Sequence, residues 1–304
     1  MENQTKYDVI IIGGSYAGLS AALTLARALR KVLVLDNGQA CNRMAPFSHN
    51  FITHDGEPPH SITLSAREDV LKYPKAQILN TLAVSAKKID NIFQVTLEDG
   101  SIRTSRKLIF ATGINDIMPD SGPKGFPECW GKSILHCPYC HGYEYRNRPT
   151  LILAEGEEAF EYAKVLSQWT GEITILTGGG AAPEGKFAES LKRHGIKTDT
   201  RKISEIKHTD GEVSEIMFED GSTAECGVLY AGPDYRQSSP IPEELGCKLS
   251  EKHHILVDES QRTSVPGVYA AGDCANMIRA VSVAAASGTL AGFTVNKDLT
   301  EEDF

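Results

Sequence analysis

The chain has 304 residues, enough for two domains with a sizeable core. Hydrophobic residues make up 41% and charged residues 23%, an ordinary globular balance, and the net charge of −9 argues against nonspecific nucleic-acid binding, which needs a basic face. Seven cysteines with only one close pair are not a disulfide framework and suit a reducing cytoplasm.

Met1 to Asp8 leads directly into an apolar strand and lacks the organisation of a signal peptide. Ala280 to Val295 is the longest mild stretch, and it is too short and too weakly apolar to span a bilayer, so no membrane association is expected.

Val9 to Ile12 reads as a fully apolar strand, followed by Gly13-Gly14-Ser15-Tyr16-Ala17-Gly18. A helix is predicted over Leu19 to Leu29 and a second apolar strand over Lys31 to Leu35, ending in Asp36. This is a βαβ unit with parallel strands. Gly13 permits the tight turn and Gly18 the close packing of helix on strand, while Ser15 replaces the middle glycine of the GxGxxG pattern. The helix start, from Ser15 and Ala17 onward, offers backbone N–H groups and a partial positive charge to a pyrophosphate. Asp36, 18 residues after Gly18, stands where an acid binds ribose hydroxyls. The plain alternative is a βαβ turn without a ligand.

Lys107 to Phe110 reads as a strand running into Ala111-Thr112-Gly113. Next comes His136-Cys137-Pro138-Tyr139-Cys140-His141-Gly142, a CxxC pair bracketed by histidines. Such a dithiol shuttles two electrons between thiol and disulfide forms, and the thiolate is the reactive species. The alternatives are half a zinc knuckle or two inert thiols. A lone CxxC without a second pair makes a poor zinc site, so no metal is expected.

A second βαβ unit follows, with a strand from Thr150, a helix from Phe160 to Gln168 and a strand from Glu172 to Thr177. Finally, Val265 to Ala271 reads as a strand ending in Gly272-Asp273. A helix of small residues is predicted from Val281 to Val295, with Ala280 and Val281 at its start. Small residues let a helix N-terminus approach a bulky ligand, and Asp273 is placed to bond a ribityl or phosphate-linked hydroxyl. Each of these turns alone is also an ordinary αβ turn. The fold expected is α/β, with two Rossmann-like three-layer nucleotide-binding domains. The first is discontinuous, residues 1–113 and 236–304, and the second spans 114–235.

The order of these motifs resembles the low-molecular-weight thioredoxin reductase family of flavoproteins over nearly the full length. Asn42-Arg43, His49-Asn50-Phe51 with Asp55-Gly56, and the CPYCHG segment resemble a branch that includes dithiol oxidases of the gliotoxin and holomycin type. The resemblance implies FAD held by the discontinuous domain (with Asn50 among its contacts), a homodimer, and a dithiol facing the flavin ring. It implies Cys140 as the flavin-proximal sulfur, Cys137 as the one that attacks the partner, and His141 where ordinary members carry an acidic proton donor. His136 is a candidate for stabilising a thiolate.

The second unit departs from the family. Ala154 replaces the first glycine, and Glu155, Glu157 and Glu158 surround the helix start. These carboxylates favour the helix dipole but repel a pyrophosphate. Gly178 to Pro183 supplies no basic fork for a 2′-phosphate, the first basic residue being Lys186. Weak or absent NADPH binding is therefore expected. The function expected is an FAD-dependent thiol–disulfide oxidoreductase acting on a thioredoxin-like protein or a small dithiol or disulfide. Either electrons pass to oxygen, or a ferredoxin- or flavodoxin-type protein feeds the flavin; the acidic balance disfavours an acidic ferredoxin unless a local basic patch exists, Arg27, Arg30 and Lys31 being the nearest cluster. A non-catalytic flavin sensor is the rival from another class.

Overall fold

The computed structural model describes residues 6–119 and 122–304. The chain opens with β1 (Lys6–Ile12), α1 (Tyr16–Arg27), β2 (Val32–Asp36), α2 (Pro59–Leu71), β3 (Ala76–Asn80), β4 (Ala83–Ile89), β5 (Ile92–Leu97), β6 (Ile102–Phe110) and β7 (Ile114–Asp116). It continues through α3 (Phe126–Cys129), β8 (Ile134–Leu135), α4 (Pro138–His141), β9 (Thr150–Leu153), α5 (Gly156–Leu166), β10 (Ile173–Leu176), α6 (Gly185–Arg193) and β11 (Lys197–Asp199). Strands β12 (Ile203–Thr209), β13 (Glu212–Phe218), β14 (Thr223–Glu225) and β15 (Val228–Ala231) follow. The chain closes with β16 (Tyr235–Gln237), α7 (Ile241–Glu244), β17 (Val268–Ala270) and α8 (Val281–Asp303).

These elements form two compact units. The described residues up to Arg43, Asn50–Asp116 and Tyr235–Phe304 make the first; Met44–His49 and Ile117–Asp234 make the second. The chain leaves the first unit through β7 and returns through β16, which pair antiparallel.

In the first unit the sheet order is β3-β2-β1-β6-β5-β4, parallel from β3 to β6. Besides β1, the long β6 has two further neighbours: its first half pairs antiparallel with β5 and its last three residues pair parallel with β17. Val9 to Ile12 is apolar on both faces because this central strand has packed side chains above and below. Each such buried side chain stabilises by about 1.5–3 kcal/mol. Helix α8 packs on α1 at very short range, since an added Cβ at Gly288 would overlap the Ala17 carbonyl.

In the second unit a parallel sheet, β11-β10-β9-β15-β8, sits with a three-stranded antiparallel sheet, β12-β13-β14. Buried Ser133 ties the two: its hydroxyl accepts from Val213 N–H at 2.8 Å and donates to the Gly211 carbonyl at 2.6 Å.

Several element limits differ from the sequence expectation. Helix α1 begins at Tyr16, before Leu19, and ends at Arg27, because Leu29 adopts a left-handed backbone (φ 64°). Helix α5 begins at Gly156 instead of Phe160; its two first-turn glutamates favour the helix dipole and belong to the helix. Strand β17 is shorter than Val265–Ala271, since Gly267 turns at φ 87° after Pro266. Helix α8 continues past Val295 to Asp303. Its last turns are anchored by Arg262 on Asp298 (2.7 Å), Arg106 on Glu302 (3.0 Å) and Arg30 on Asp303 (2.6 Å).

Candidate active site

The parallel strands of the first unit end together. Gly13 N–H donates to Leu35 O at 2.8 Å, Ala111 N–H to Ile12 O at 2.8 Å, and Ala271 N–H to Phe110 O at 2.9 Å. The three turns singled out in the sequence therefore lie side by side at the C-terminal edge of one sheet, where open α/β sheets bind ligands. The turn leaves no room for larger residues. Gly13 has φ 111°, and a Cβ there would overlap the Ala111 carbonyl oxygen; a Cβ at Gly18 would overlap the Gly13 carbonyl oxygen. Ser15 is the N-cap of α1 yet makes no side-chain capping bond, and the first turn, including Ala17 and Gly18, holds no acid. Helix α8 likewise starts at Val281 from an uncapped Ala280 without a first-turn acid. These residues fit the pyrophosphate of FAD: two bare helix starts offer N–H groups, and no carboxylate in either first turn opposes an anion.

Asp36 closes the far side of this turn. Gly14 is glycine because a Cβ would sit 2.6–2.8 Å from the Asp36 side chain. Asp36 Oδ2 accepts from Arg67 Nη1 at 2.8 Å, and Arg67 Nη2 donates to Asn80 at 2.8 Å, so the acid is held in place. Arg67 and Gly14 escaped sequence reasoning; Arg67 lies on α2, with no motif to mark it. Asp273 sits in the turn Gly272–Cys274, where Gly272 has φ 77° and its N–H donates to Ser287. Burial holds the Asp273 carboxyl above its ordinary pKa, and the Cys41 thiol donates to it at 3.7 Å. Thr112 and Gly113 form the turn after β6, Gly113 at φ 66°. Asn50 has a left-handed backbone (φ 61°), and its N–H donates to Asp55 Oδ1 at 2.7 Å.

In the second unit, Cys137 and Cys140 form a disulfide with Cα atoms 5.3 Å apart. Cys137 caps the start of α4, which follows edge strand β8 and ends in His141. Pro138 at the first helical position pre-sets the turn between the sulfurs. Trp169 packs the helix from outside: Tyr139 meets its ring edge-on at 5.5 Å, and Gly142 lies against it. On the other side His136 stacks on Trp130 at 5.9 Å, and Tyr162 of α5 donates to the His136 carbonyl at 3.0 Å. His141 is mostly buried; burial, then the neighbouring His49, hold its pKa below the ordinary imidazole value, while Glu144 pulls the other way.

The other five cysteines are not rival nucleophiles. Burial pushes the thiols of Cys41 and Cys274 up to about 11 and that of Cys226 up to about 12, and it raises Cys129 and Cys247 as well. Among the described residues no group of three or more His, Cys, Asp or Glu is placed to hold a metal ion. Gly142→Ala is expected to disturb the dithiol helix, because its Cβ would stand 2.5 Å from the Pro138 carbonyl oxygen and 3.0 Å from the Trp169 ring. Such overpacking costs about 1–3 kcal/mol. A lowered thermal midpoint together with slowed thiol exchange checks it; wild-type values for both contradict this packing.

The nucleotide-type turn of the second unit is closed on itself. Gly156 N–H donates to Ala181 O at 3.0 Å, and Glu155 accepts from Ala181 N–H at 3.1 Å. The Glu155 carboxylate fills the space where Gly180 would carry a Cβ. Glu157 and Glu158 occupy the first turn of α5. The loop from Gly178 to Ala181 and three acids thus stand where the first unit presents bare N–H groups, and these residues do not fit a nicotinamide dinucleotide.

Residues 7–288 match the profile of the family described as pyridine nucleotide-disulphide oxidoreductase. Thioredoxin reductase tcpT of Claviceps purpurea is 34% identical, with 96% of this chain and 94% of that protein covered. Thioredoxin reductase sirT of Leptosphaeria maculans is 32% identical, with 95% and 93% covered. Among solved structures, an oxidoreductase from Agrobacterium tumefaciens superposes with a TM-score of 0.90 at 34% identity, covering 97% of this chain and 99% of that one. A thioredoxin reductase from Bacillus anthracis, described as putative in its report, gives a TM-score of 0.93 at 28% identity, covering 98% and 100%.

Proposed function

Since the chain belongs to the pyridine nucleotide-disulphide oxidoreductase family and is an FAD-dependent thiol–disulfide oxidoreductase, we propose that it works without a nicotinamide, oxidising a dithiol through Cys137–Cys140 and passing the electrons by way of FAD to oxygen. The observation that carries this reading is the contrast between the two βα turns: an uncapped, acid-free helix start at Ser15–Gly18, and a turn plugged by Glu155 and Ala181.

In this reading a substrate thiolate attacks Cys137, and Cys140 leaves as the thiolate. The second substrate thiolate then releases Cys137, and the substrate departs as a disulfide. His141, held neutral by burial, takes the substrate proton. Bound FAD supplies the acceptor for the electron pair left on the two cysteines. Residues 1–113 and 236–304 would hold FAD, with Gly13, Ser15, Ala17, Gly18, Asp36, Asn50, Ala111, Thr112, Gly113, Gly272, Asp273, Ala280 and Val281 in contact. Residues 114–235 would carry the dithiol. The reading includes a homodimer in a reducing cytoplasm and a small dithiol as substrate. No helix among the described residues is long and apolar enough to cross a membrane.

Oxygen is favoured over an acidic protein donor because the basic cluster at Arg27, Arg30 and Lys31 is already engaged. Arg30 pairs with Asp303 at 2.6 Å and Asn296 at 2.9 Å, Arg27 bonds Tyr73, and Lys31 lies over the Tyr7 ring at 5.1 Å. Anaerobic titration tests the reading. A dithiol such as dithiothreitol should bleach the flavin, NADPH and NADH should not, and readmitted oxygen should restore the colour with one hydrogen peroxide per dithiol. Rapid, saturable bleaching by micromolar NADPH would overturn it.

A further inference from the structure

The segment Met44–His49 leaves the first unit and belongs to the second, the unit that carries the dithiol. Gly131 makes room for Met44, whose Cβ would lie 3.2 Å from any side chain there. The excursion brings His49 edge-on to His141, with ring centroids 6.1 Å apart and planes at 88°. His49 Nε2 also lies 3.8 Å from Glu144 Oε1. The segment was singled out in the sequence, and neither disulfide exchange nor cofactor binding accounts for its histidine.

We propose that His49 and Glu144 are positioning residues that set the charge on His141 during thiol–disulfide exchange. The proposal rests on Cys137–Cys140 being the redox pair. In the step concerned, the substrate S–H bond breaks and its proton goes to a ring nitrogen of His141. The sulfur's electron pair forms a bond to Cys137, the Cys137–Cys140 bond breaks, and Cys140 leaves as the thiolate. His141 must therefore be neutral before the step and tolerate a charge after it.

Two imidazoles this close resist being charged together, and a carboxylate beside them offsets the charge that does form. His49 and Glu144 thus act on His141 in opposite senses, as the directions of its pKa shift show. Glu144 in turn faces Tyr145 and Tyr230, phenols whose pKa values burial raises, so they stay neutral and bring no competing charge. The Glu144 side chain is 37% exposed and gives the proton a route to water, whereas that of His49 is 18% exposed.

The test is the titration of histidine ring protons by NMR in the oxidised holoenzyme, with the His141 signal assigned by its loss in His141→Asn. His49→Phe keeps an aromatic ring in the edge-on contact and removes the second ionisable ring, so the His141 pKa should rise toward the ordinary value. Glu144→Gln removes the favourable carboxylate, so it should fall further. The acid limb of the single-turnover exchange rate with dithiothreitol should move the same way in each variant. An unchanged His141 titration in both, or shifts of the same sign, would overturn the proposal. Should His49→Phe fail to retain flavin, the downward shift in Glu144→Gln decides alone. Retained turnover in the cysteine variants would instead sink the redox-pair reading, and the His141 titration is measured independently of it.

Discussion

Cys137→Ser and Cys140→Ser are each expected to lose dithiol-dependent flavin reduction by on the order of 10⁴-fold or more, the scale seen when a catalytic nucleophile is removed. The oxidised flavin spectrum should stay as in the wild type, because the turns proposed to hold FAD belong to the other unit. No other cysteine can substitute. A thiol held at about 11, as in Cys41 and Cys274, is thiolate in only about one part in 10⁴ at pH 7. The two variants also separate the roles of the sulfurs. With Cys137 as the sulfur that exchanges with substrate, Cys140→Ser given a linear disulfide accumulates a mixed disulfide on Cys137 and releases the other half of the disulfide as a thiolate, visible by mass spectrometry of the intact chain. An adduct forming on Cys140 in Cys137→Ser and not in the reverse variant would exchange the roles. Turnover retained in either would remove the disulfide from the mechanism.

The second large effect lies at the phosphate turn. Gly13→Ala is expected to yield protein without FAD, and with a much lower thermal midpoint. The substitution forces a side chain onto φ 111° and drives Cβ into the Ala111 carbonyl. Backbone strain of about 1–3 kcal/mol adds to overpacking of about 1–3 kcal/mol, against backbone that cannot rotate away. Gly18→Ala meets the Gly13 carbonyl and should behave alike, although the strain there is steric alone. Gly171→Ala is the control: nothing lies within 4 Å of its Cβ, so the change should stay within about 0.5 kcal/mol. Flavin content after purification and the thermal midpoint check all three. Full FAD occupancy in Gly13→Ala would mean that the turn relaxes and does not hold the pyrophosphate as described.

Much of the fold was legible because it rests on local pattern. Val9 to Ile12 is apolar at every position, which only a strand covered on both faces tolerates, and the glycines beside it mark a turn with no space for side chains. The CxxC was legible as a redox-type dithiol pair; that it lies on the short helix α4 as a disulfide came from the structure. The acids at Glu155, Glu157 and Glu158 likewise announced a nucleotide turn hostile to phosphate, from charge alone. Element limits were less legible. Helix α8 runs on to Asp303 through ion pairs with Arg30, Arg106 and Arg262, residues far away along the chain.

The sequence by itself determined the α/β pattern, the dithiol chemistry and the contrast between a phosphate-ready and an acid-filled turn. Each depends on residues close together in the chain, where periodicity, glycine sterics and local charge act directly. Only the tertiary structure decided that Arg67 holds Asp36, that Ala181 seals the turn at Gly156, that Trp169 packs on Gly142, and that His49 reaches His141 and Glu144. These contacts join segments separated by tens of residues. Their energies depend on geometry that the whole packed fold creates, and no local pattern carries it.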